Sequence, residues 1–430
     1  MKRVWIFNHD ACSPSTGPML RHYNFAKYLS RMGYKVTVFA SNRIHATGEV
    51  IPVEGSYQRF DEDGADFIRV KTTAYKGNGV SRIINWISYY LRLFQIADDL
   101  VRAGERPDII MGSSVHPLAP IAANKISKKL DIPSIVEIRD LWPEAIFMAG
   151  YTSPDSLLGK FLSYKENQIY ERGDSIVFTK PGDKDHILEM GWDEASGGNI
   201  DMDKIYYINN GVDLEVYQKE IEEYQVHDED LENPDKFNIV YTGSLRQTNN
   251  LDFILDAAKL IQRETPQVQF IIYGAGNQLE RLEQRLVDED IKNVFFKGFV
   301  NKKYVPNILS KADCTLLNYS QNNYNWSRGN SSNKLFEYMA SGKPIISTIK
   351  TNYSIISKYK CGIEIENYTA ESLRDTIIKF IEMPDAKREK IGDNAKQAAH
   401  NFDFSNLSKK LANVIETTID EFAKQKRKEG

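Results

Sequence analysis

Between residues 332 and 344 the chain reads Ser332-Asn333-Lys334-Leu335-Phe336-Glu337-Tyr338-Met339-Ala340-Ser341-Gly342-Lys343-Pro344. Ser332 is placed to N-cap a short helix on which Leu335, Phe336 and Met339 share one face, and Gly342 with Pro344 ends it ahead of a strand. The free N–H groups of a helix start, joined by the amine of Lys334, form an anion site suited to a diphosphate. Glu337 lies three residues beyond Lys334 and four beyond Asn333, so the three polar groups share a side. A carboxylate there can accept both hydroxyl hydrogens of a ribose. The same spacing suits a plain surface Lys–Glu pair.

Other residues invite similar questions. Val136-Glu137-Ile138-Arg139-Asp140-Leu141-Trp142-Pro143-Glu144 follows an apolar run. Its Arg139–Asp140 couple is either a buried ion pair that shapes a loop or a carboxylate near a reacting hydroxyl, with Arg139 fixing its rotamer. His116 stands at another strand end, where its proton can move near neutral pH or where it can be purely structural. Gly274-Ala275-Gly276 is glycine-rich, but Leu279 occupies the place of a third glycine, so a dinucleotide fingerprint is not met.

The elements that must position these groups are short apolar runs alternating with amphipathic segments. Residues 4–8, 35–40, 108–112, 134–137 and 175–178 read as buried strands with helical patterns between most of them, which predicts a parallel sheet with helices on both faces. A strand near 206–208 leads into Asn209-Asn210-Gly211-Val212-Asp213 and then a polar, acidic stretch to Asp235, read as an interdomain connection with a surface excursion. A second series follows at 238–242, 269–273, 294–296, 314–317 and 344–347. The expectation is an α/β chain of two Rossmann-like domains, 1–208 and 209–400, with a terminal helix over 401–430 that packs back on the first.

Composition narrows the partners. Of 430 residues, 55 are Lys or Arg and 59 Asp or Glu, a net charge of −4, so no global positive field exists to hold nucleic acid. Cys12, Cys314 and Cys361 are far apart and show no zinc-ligand spacing, which fits a reducing compartment. The apolar run at 4–7 is too short for a signal peptide, and no stretch approaches 18 consecutive apolar residues. Residues 80–102 mix Arg82, Arg92 and Arg102 with Ile83, Ile84, Trp86, Ile87, Tyr89, Tyr90, Leu91, Leu93 and Phe94. That is an amphipathic helix suited either to a membrane surface or to a core with a snorkelling Arg face.

The 332–344 segment resembles the signature helix of retaining nucleotide-sugar glycosyltransferases with the GT-B fold, in the large family-4 group and its bacterial polysaccharide, capsule and O-antigen branch. Asn209-Asn210-Gly211-Val212-Asp213, Tyr241-Thr242-Gly243-Ser244-Leu245-Arg246, Tyr273-Gly274-Ala275-Gly276 and Lys297-Gly298-Phe299-Val300 resemble that family's motifs in the same order. Arg139-Asp140-Leu141-Trp142-Pro143-Glu144 resembles its RDLWPE stretch, and Ser13 to Pro18, with Gly17, matches its acceptor-side loop in position. The resemblance implies two domains facing a central cleft, the first binding acceptor and the second the donor. Donor contacts are then expected at Gly243, Ser244, Arg246, Gly274, Gly276, Val300, Ser332, Asn333, Lys334, Leu335 and Glu337. Acceptor contacts are expected at Gly17, His116, Arg139, Asp140 and Glu144, and the catalytic group comprises Asp140, Arg246, Lys334 and Glu337.

Two departures stand out. The family often pairs two glutamates, but the position eight before Glu337 is Gly329, so Asn330, Ser331, Ser332 or backbone amides must serve the transferred sugar. The family's loop Arg and Lys fall on Ser244 and Asn249, which leaves Arg246 and Lys334 for the diphosphate, with Arg328 in reserve. Asp201-Met202-Asp203 is formally a DxD but lies away from the proposed phosphates, so neither a metal nor a cofactor is expected. The expected partners are a nucleotide-sugar, probed first as a UDP-sugar, a lipid-linked glycan acceptor and, through residues 80–102, the cytoplasmic face of the inner membrane; nucleic acid is not expected. Three alternatives stay open: a GT-B nucleotide-sugar 2-epimerase, an NAD-dependent Rossmann enzyme, and a non-catalytic two-lobed binding protein.

Overall fold

The computed structural model describes residues 1–45, 47–75, 77, 79–114, 116–148, 150–321 and 326–429. The chain divides into two compact units, Met1–Asn209 with Phe404–Gly430, and Asn210–Asp403.

The first unit is built on β1 (Arg3–Phe7), β2 (Lys35–Ser41), β3 (Tyr57–Glu62), β4 (Ala65–Val70), β5 (Ile109–Ser113), β6 (Ser134–Ile138), β7 (Ser175–Phe178) and β8 (Ile205–Tyr207). They form one sheet in the order β3-β4-β2-β1-β5-β6-β7-β8, parallel throughout except for β3 against β4. Its helices are α1 (Arg21–Arg31), α2 (Val80–Arg102), α3 (Leu118–Leu130), α4 (Trp142–Met148), α5 (Leu157–Arg172) and α6 (Asp183–Glu189). Side chains alternate across a strand, so Val4 and Ile6 enter the core under α1, while Trp5 and Phe7 enter the core under α2 and α3. Both faces being covered, these strands are nearly all apolar, and each fully buried large side chain contributes about 1.5–3 kcal/mol. The chain leaves β1 toward β2 and β4, then returns through α2 to β5 on the other side. Such a switch point opens a crevice at the strand carboxyl ends.

The second unit has β9 (Phe237–Thr242), β10 (Val268–Tyr273), β11 (Val294–Gly298), β12 (Cys314–Leu317), β13 (Ile345–Ser347) and β14 (Gly362–Glu364), all parallel, in the order β11-β10-β9-β12-β13-β14. Its helices are α7 (Leu214–Glu223), α8 (Leu251–Glu264), α9 (Leu279–Asp288), α10 (Val305–Ser310), α11 (Asn333–Ala340), α12 (Ile355–Tyr359), α13 (Ala370–Ile381) and α14 (Asp385–Ala399). Helices α11 and α14 share one apolar core through Phe336, Met339, Ala395 and Ala398, and α8 and α13 share the other through Ile254, Leu255, Leu373 and Ile377. The switch point here lies between β9 and β12. Finally α15 (Phe404–Glu429) belongs to the first unit, where Phe404 packs on Phe25 and Thr418 bonds Ser175 at 2.7 Å.

Two parallel α/β sheets are therefore the architecture that the alternating runs predicted, and every predicted strand is present to within a few residues. Three elements differ from the sequence reading. The β3–β4 hairpin was not predicted because β3 is a polar edge strand, although β4 buries Ala65, Phe67, Ile68 and Val70; its signal is the two-residue Asp63-Gly64 turn, with φ of 51° and 81°. The edge strand β14 has only three residues. The acidic stretch is not an excursion from the second unit: Asp213 caps α7 through the Val216 N–H at 3.1 Å, Tyr217 and Leu231 are buried, and Asp228 and Asp230 both pair with Lys297.

Candidate active site

Helix α11 begins beside the carboxyl end of β9, and Tyr338 fixes it there: its hydroxyl accepts from the Thr242 N–H at 3.0 Å. Leu335, Phe336 and Met339 are buried beneath it. Ser332 has the extended backbone of an N-cap, but its hydroxyl does not cap, correcting the sequence reading. The backbone closes the turn instead, with the Leu335 N–H on the Ser332 carbonyl at 3.2 Å and the Ser332 N–H on the Asn330 side chain at 2.8 Å. The Ser332 Oγ is left buried with no hydrogen-bond partner among the described residues. The Leu335 side chain is committed to the core, so a donor contact at this position falls to its backbone. Asn333 is exposed at the helix start.

Lys334 does not pair with Glu337. Its amine donates to the Tyr241 hydroxyl at 2.7 Å and lies over the rings of Tyr241 and Tyr319, 4.3 and 4.6 Å from their centroids. With its oxygen turned toward Lys334, the Asn249 amide accepts from the amine at 3.2 Å and donates to Ser244 Oγ at 3.0 Å. Ser244 and Asn249 stand where the resembled family carries Arg and Lys, so the cation supplied by α11 comes to rest among the positions that lack theirs. Burial depresses the Lys334 amine to about 7, and Glu337 only partly offsets this. Glu337, mostly buried, instead receives Lys302 at 3.0 Å. Lys302 follows β11 with no motif to mark it, and sequence reasoning missed it.

The glycines explain how this corner closes. Gly243, at φ +149°, lets the Lys334 side chain cross its backbone; a Cβ there would sit 2.6 Å from the amine nitrogen. A Cβ on Gly274 would lie 1.7 Å from the Gly243 carbonyl oxygen, and one on Gly276 2.1 Å from that of Leu245. These two glycines therefore serve backbone packing between the loops after β9 and β10, where Leu245 N–H bonds Ala275 O at 2.9 Å. Val300 is half-buried against the α11 core. Arg246 is exposed and lines a hollow with Asn250, Asp252 and Arg281 to which no α11 residue contributes, and Arg328 is buried in a 3-10 turn. The structure thus gathers Gly243, Ser244 and Lys334 at one corner, with Glu337, on the same helix as Lys334, turned to Lys302 and Arg246 exposed on the neighbouring hollow.

In the first unit the Arg139–Asp140 pair does not form. Asp140 is exposed and bonds Lys180 at 3.1 Å, while Arg139 Nε is buried and unpartnered among the described residues. The buried ion pair lies two residues earlier: Glu137 accepts from Arg21 at 2.7 and 2.9 Å, from His22 at 2.8 Å and from Ser113 at 2.6 Å. Burial would raise this carboxyl, but Arg21 and His22 hold it well below the usual range. Glu144 is on the first turn of α4, and Gly17 closes a turn where a Cβ would meet Cys12 Sγ at 2.9 Å.

At the β1/β5 switch point a second cluster assembles that sequence reasoning saw only through His116. His9 Nδ1 bonds Asp10 and its Nε2 bonds Asn85, both at 2.6 Å; His116 lies 5.1 Å from His9 ring to ring and stacks on Trp86. His116 Nδ1 accepts from the Leu118 N–H at 3.2 Å, so the neutral ring carries its proton on Nε2, a buried donor with no partner among the described residues. Asp10 Oδ2 is a buried acceptor in the same state. Burial, reinforced by His9, holds His116 well below its ordinary value, which corrects the expectation that its proton moves near neutrality. Asp10 is kept ionised by His9 despite its burial. Asp201 accepts from the Asp203 N–H at 2.8 Å and caps a 3-10 turn. Among the described residues no group of His, Cys, Asp or Glu is arranged to hold a metal.

Comparison with known proteins adds the family. Residues 16–196 match the model of the glycosyl transferase 4-like domain, and residues 223–398 that of glycosyl transferases group 1. The poly(glycerol-phosphate) alpha-glucosyltransferase of Bacillus subtilis (strain 168) is 23% identical over 190 residues, which are 43% of this chain and 27% of that protein. The chain thus spans about a quarter of the length of the curated relative it matches. Among solved structures, HepE of Anabaena in complex with UDP superposes with a TM-score of 0.64 at 14% identity, over 97% of this chain and 100% of that one. The α,α-trehalose 6-phosphate synthase of Burkholderia multivorans superposes with a TM-score of 0.69 at 13% identity, over 98% and 100%.

Proposed function

Since the chain is a glycosyltransferase of the GT-B fold, we propose that it transfers a hexosyl or N-acetylhexosaminyl group from a UDP-sugar to a lipid-linked glycan, with retention at the anomeric carbon. The setting is assembly of a capsule, O-antigen or related polysaccharide at the cytoplasmic face of the membrane, which α2 would contact. The observation that carries the reading is the Lys334 amine: a cation at a helix start, held by neutral groups only, beside a loop whose backbone approaches without side chains. HepE, bound to UDP in its solved complex, supports the donor class, and the relative named as an alpha-glucosyltransferase supports transfer of a hexosyl group.

In this mechanism the bond from the sugar C1 to the diphosphate oxygen breaks, and the acceptor oxygen bonds to C1 on the same face. The acceptor proton passes to the departing phosphate oxygen. Lys334 and the α11 amides stabilise the charge that develops on the diphosphate, a role that requires no metal. Glu337, oriented by Lys302, takes the ribose hydroxyls, and Ser332 Oγ offers a free hydroxyl at the same helix start. In the first unit His116 Nε2–H and Asp10 Oδ2 supply one donor and one acceptor for a sugar hydroxyl.

The test is a panel of nucleotide sugars screened for protection against thermal unfolding, followed by turnover of the best donor. UDP-sugars are expected to raise the melting temperature, and Lys334→Ala and Glu337→Ala to lose turnover; full activity in both variants would refute the site. Donor incubated alone should undergo slow hydrolysis, whereas an epimerised sugar would favour the 2-epimerase.

A further inference from the structure

The geometry points to a lipid-docking rim made of two helices of the first unit, α2 and α5, which seats this unit on an anionic bilayer surface. The α2 half rests on the membrane reading above; the α5 half is new and is tested separately. Helices α2, α3 and α5 lead into the adjacent parallel strands β5, β6 and β7 and cover the same sheet face, since Ile110, Val136 and Ile176 beneath them share that face. All three therefore start at the strand carboxyl ends.

On α2 the inward positions Tyr89, Leu93, Ile96 and Leu100 fill the core, so the helix is already amphipathic without its outer side. Yet Val80, Ile83, Ile84, Ile87 and Leu91 are exposed and fall at helical spacing on one stripe. Trp86 is not part of it, being stacked on His116. On α5, Leu157, Leu158, Phe161 and Tyr164 form a second exposed stripe, with Leu157 89% exposed. Lys160 and Lys165 flank that stripe, positioned to reach lipid phosphates while the stripe enters the interface. Lys125 of α3, bonded to the Tyr90 hydroxyl at 3.0 Å, lies between the two.

Charge decides the occupant. Around the two stripes stand Arg82, Arg92, Lys125, Lys160 and Lys165, in a chain whose net charge is −4; Lys129, in the last turn of α3 and away from the rim, is paired with Asp98 of α2 at 2.6 Å. A cationic, apolar surface on an otherwise acidic protein is complementary to anionic headgroups. No helix among the described residues is long and apolar enough to cross a membrane, which leaves lying on the surface as the membrane contact these helices can make.

The experiment is co-sedimentation of the full chain with vesicles of phosphatidylcholine alone or with about one-third phosphatidylglycerol, in the range where cationic residues bind anionic lipid. Native protein should partition onto the anionic vesicles only. Lys160→Glu with Phe161→Ser, and separately Ile84→Ser with Ile87→Ser, should each lower the partition coefficient at least tenfold while retaining the native UDP-induced melting shift. Retention of native partitioning by the α5 variant overturns the α5 half even if the α2 variant fails to bind. Equal binding to both vesicle types, or no binding by native protein, overturns the whole rim. A native dimer in sedimentation velocity that the α5 variant dissociates overturns it in favour of a second copy as the occupant. Loss of the UDP shift in native protein would refute the donor site instead and leave the rim standing.

Discussion

Glu137 in the first unit and Lys334 in the second are both charged side chains withdrawn from water, and the chain treats them in opposite ways. Glu137 is fully buried and has four donors: two from Arg21, one from His22 and one from Ser113. Arg21 in turn donates to the carbonyls of Ile208 and Asn209 at 2.8 and 2.6 Å, so the network pins α1 to β6 and to the end of the unit. Among the described residues Lys334 has no carboxylate in hydrogen-bond range, and it rests on two tyrosine rings and a hydroxyl. A charge whose every lone pair is spoken for holds a fold together; one with neutral partners only can, under the proposed function, take its counter-ion from the donor.

The largest effect that could break this contrast lies in the first unit. Glu137→Ala strands Arg21 without its counter-charge and is expected to cost about 3–5 kcal/mol in urea unfolding. A loss below about 1 kcal/mol would mean the network is not structural. Lys334→Met should do the reverse. The amine is depressed to about 7 against roughly 10.4 when free, so below neutral pH its charged form costs stability, a cost that fades as pH rises toward 10. The variant is expected to melt no lower than native at pH 6.5, yet turn over the donor about 10²–10³-fold more slowly, as when one charge-stabilising donor is removed.

A third way to sharpen the comparison is acid titration. Glu137 and Asp10 are held below their unfolded values, so their contribution is present above about pH 4.5 and is lost as pH falls below it. His22 and His116 are also depressed and must be charged when the chain unfolds in acid, so stability should begin to fall below about pH 6.5. Chemical unfolding followed from pH 7.5 to 4 checks this, and native stability that rises on acidification would contradict it. The smallest effect concerns the acceptor. His116→Phe removes the free Nε2–H while keeping a ring against Trp86, and should raise the acceptor KM several-fold while leaving donor hydrolysis unchanged.

The two units also differ in how much of them the chain announces. The sheet strands were legible because continuous apolar runs such as Val4 to Phe7 can only be buried on both faces. The β3–β4 hairpin was not, because the edge strand β3 is polar and half exposed, and the charged Asp66 and Arg69 interrupt the apolar residues that β4 buries. Helix α11 could be proposed as a site from Lys334 and Glu337, three residues apart on one turn, though they turn to different partners, Tyr241 and Lys302. Lys302 could not, being joined to Glu337 across 35 residues of chain with nothing in its own neighbourhood to mark it. The first-unit cluster was harder still. His9, Asn85 and His116 come from three crossovers, and only sheet order brings them together. Arg139-Asp140 misled for a related reason: adjacent residues at a strand end point in different directions, so the buried partner of a basic group was Glu137, on a different element from Arg21.

The proposal that the Lys334 amine receives the donor diphosphate is tested most directly by calorimetric titration of UDP into native protein and Lys334→Met at pH 6.5 and 8.5. Native protein is expected to bind more weakly at the higher pH and to take up about one proton there, since the diphosphate restores the charge that burial suppresses near pH 7. Lys334→Met should bind at least tenfold more weakly at pH 6.5 and show no proton uptake. Equal affinity of the two proteins at pH 6.5 would contradict the claim.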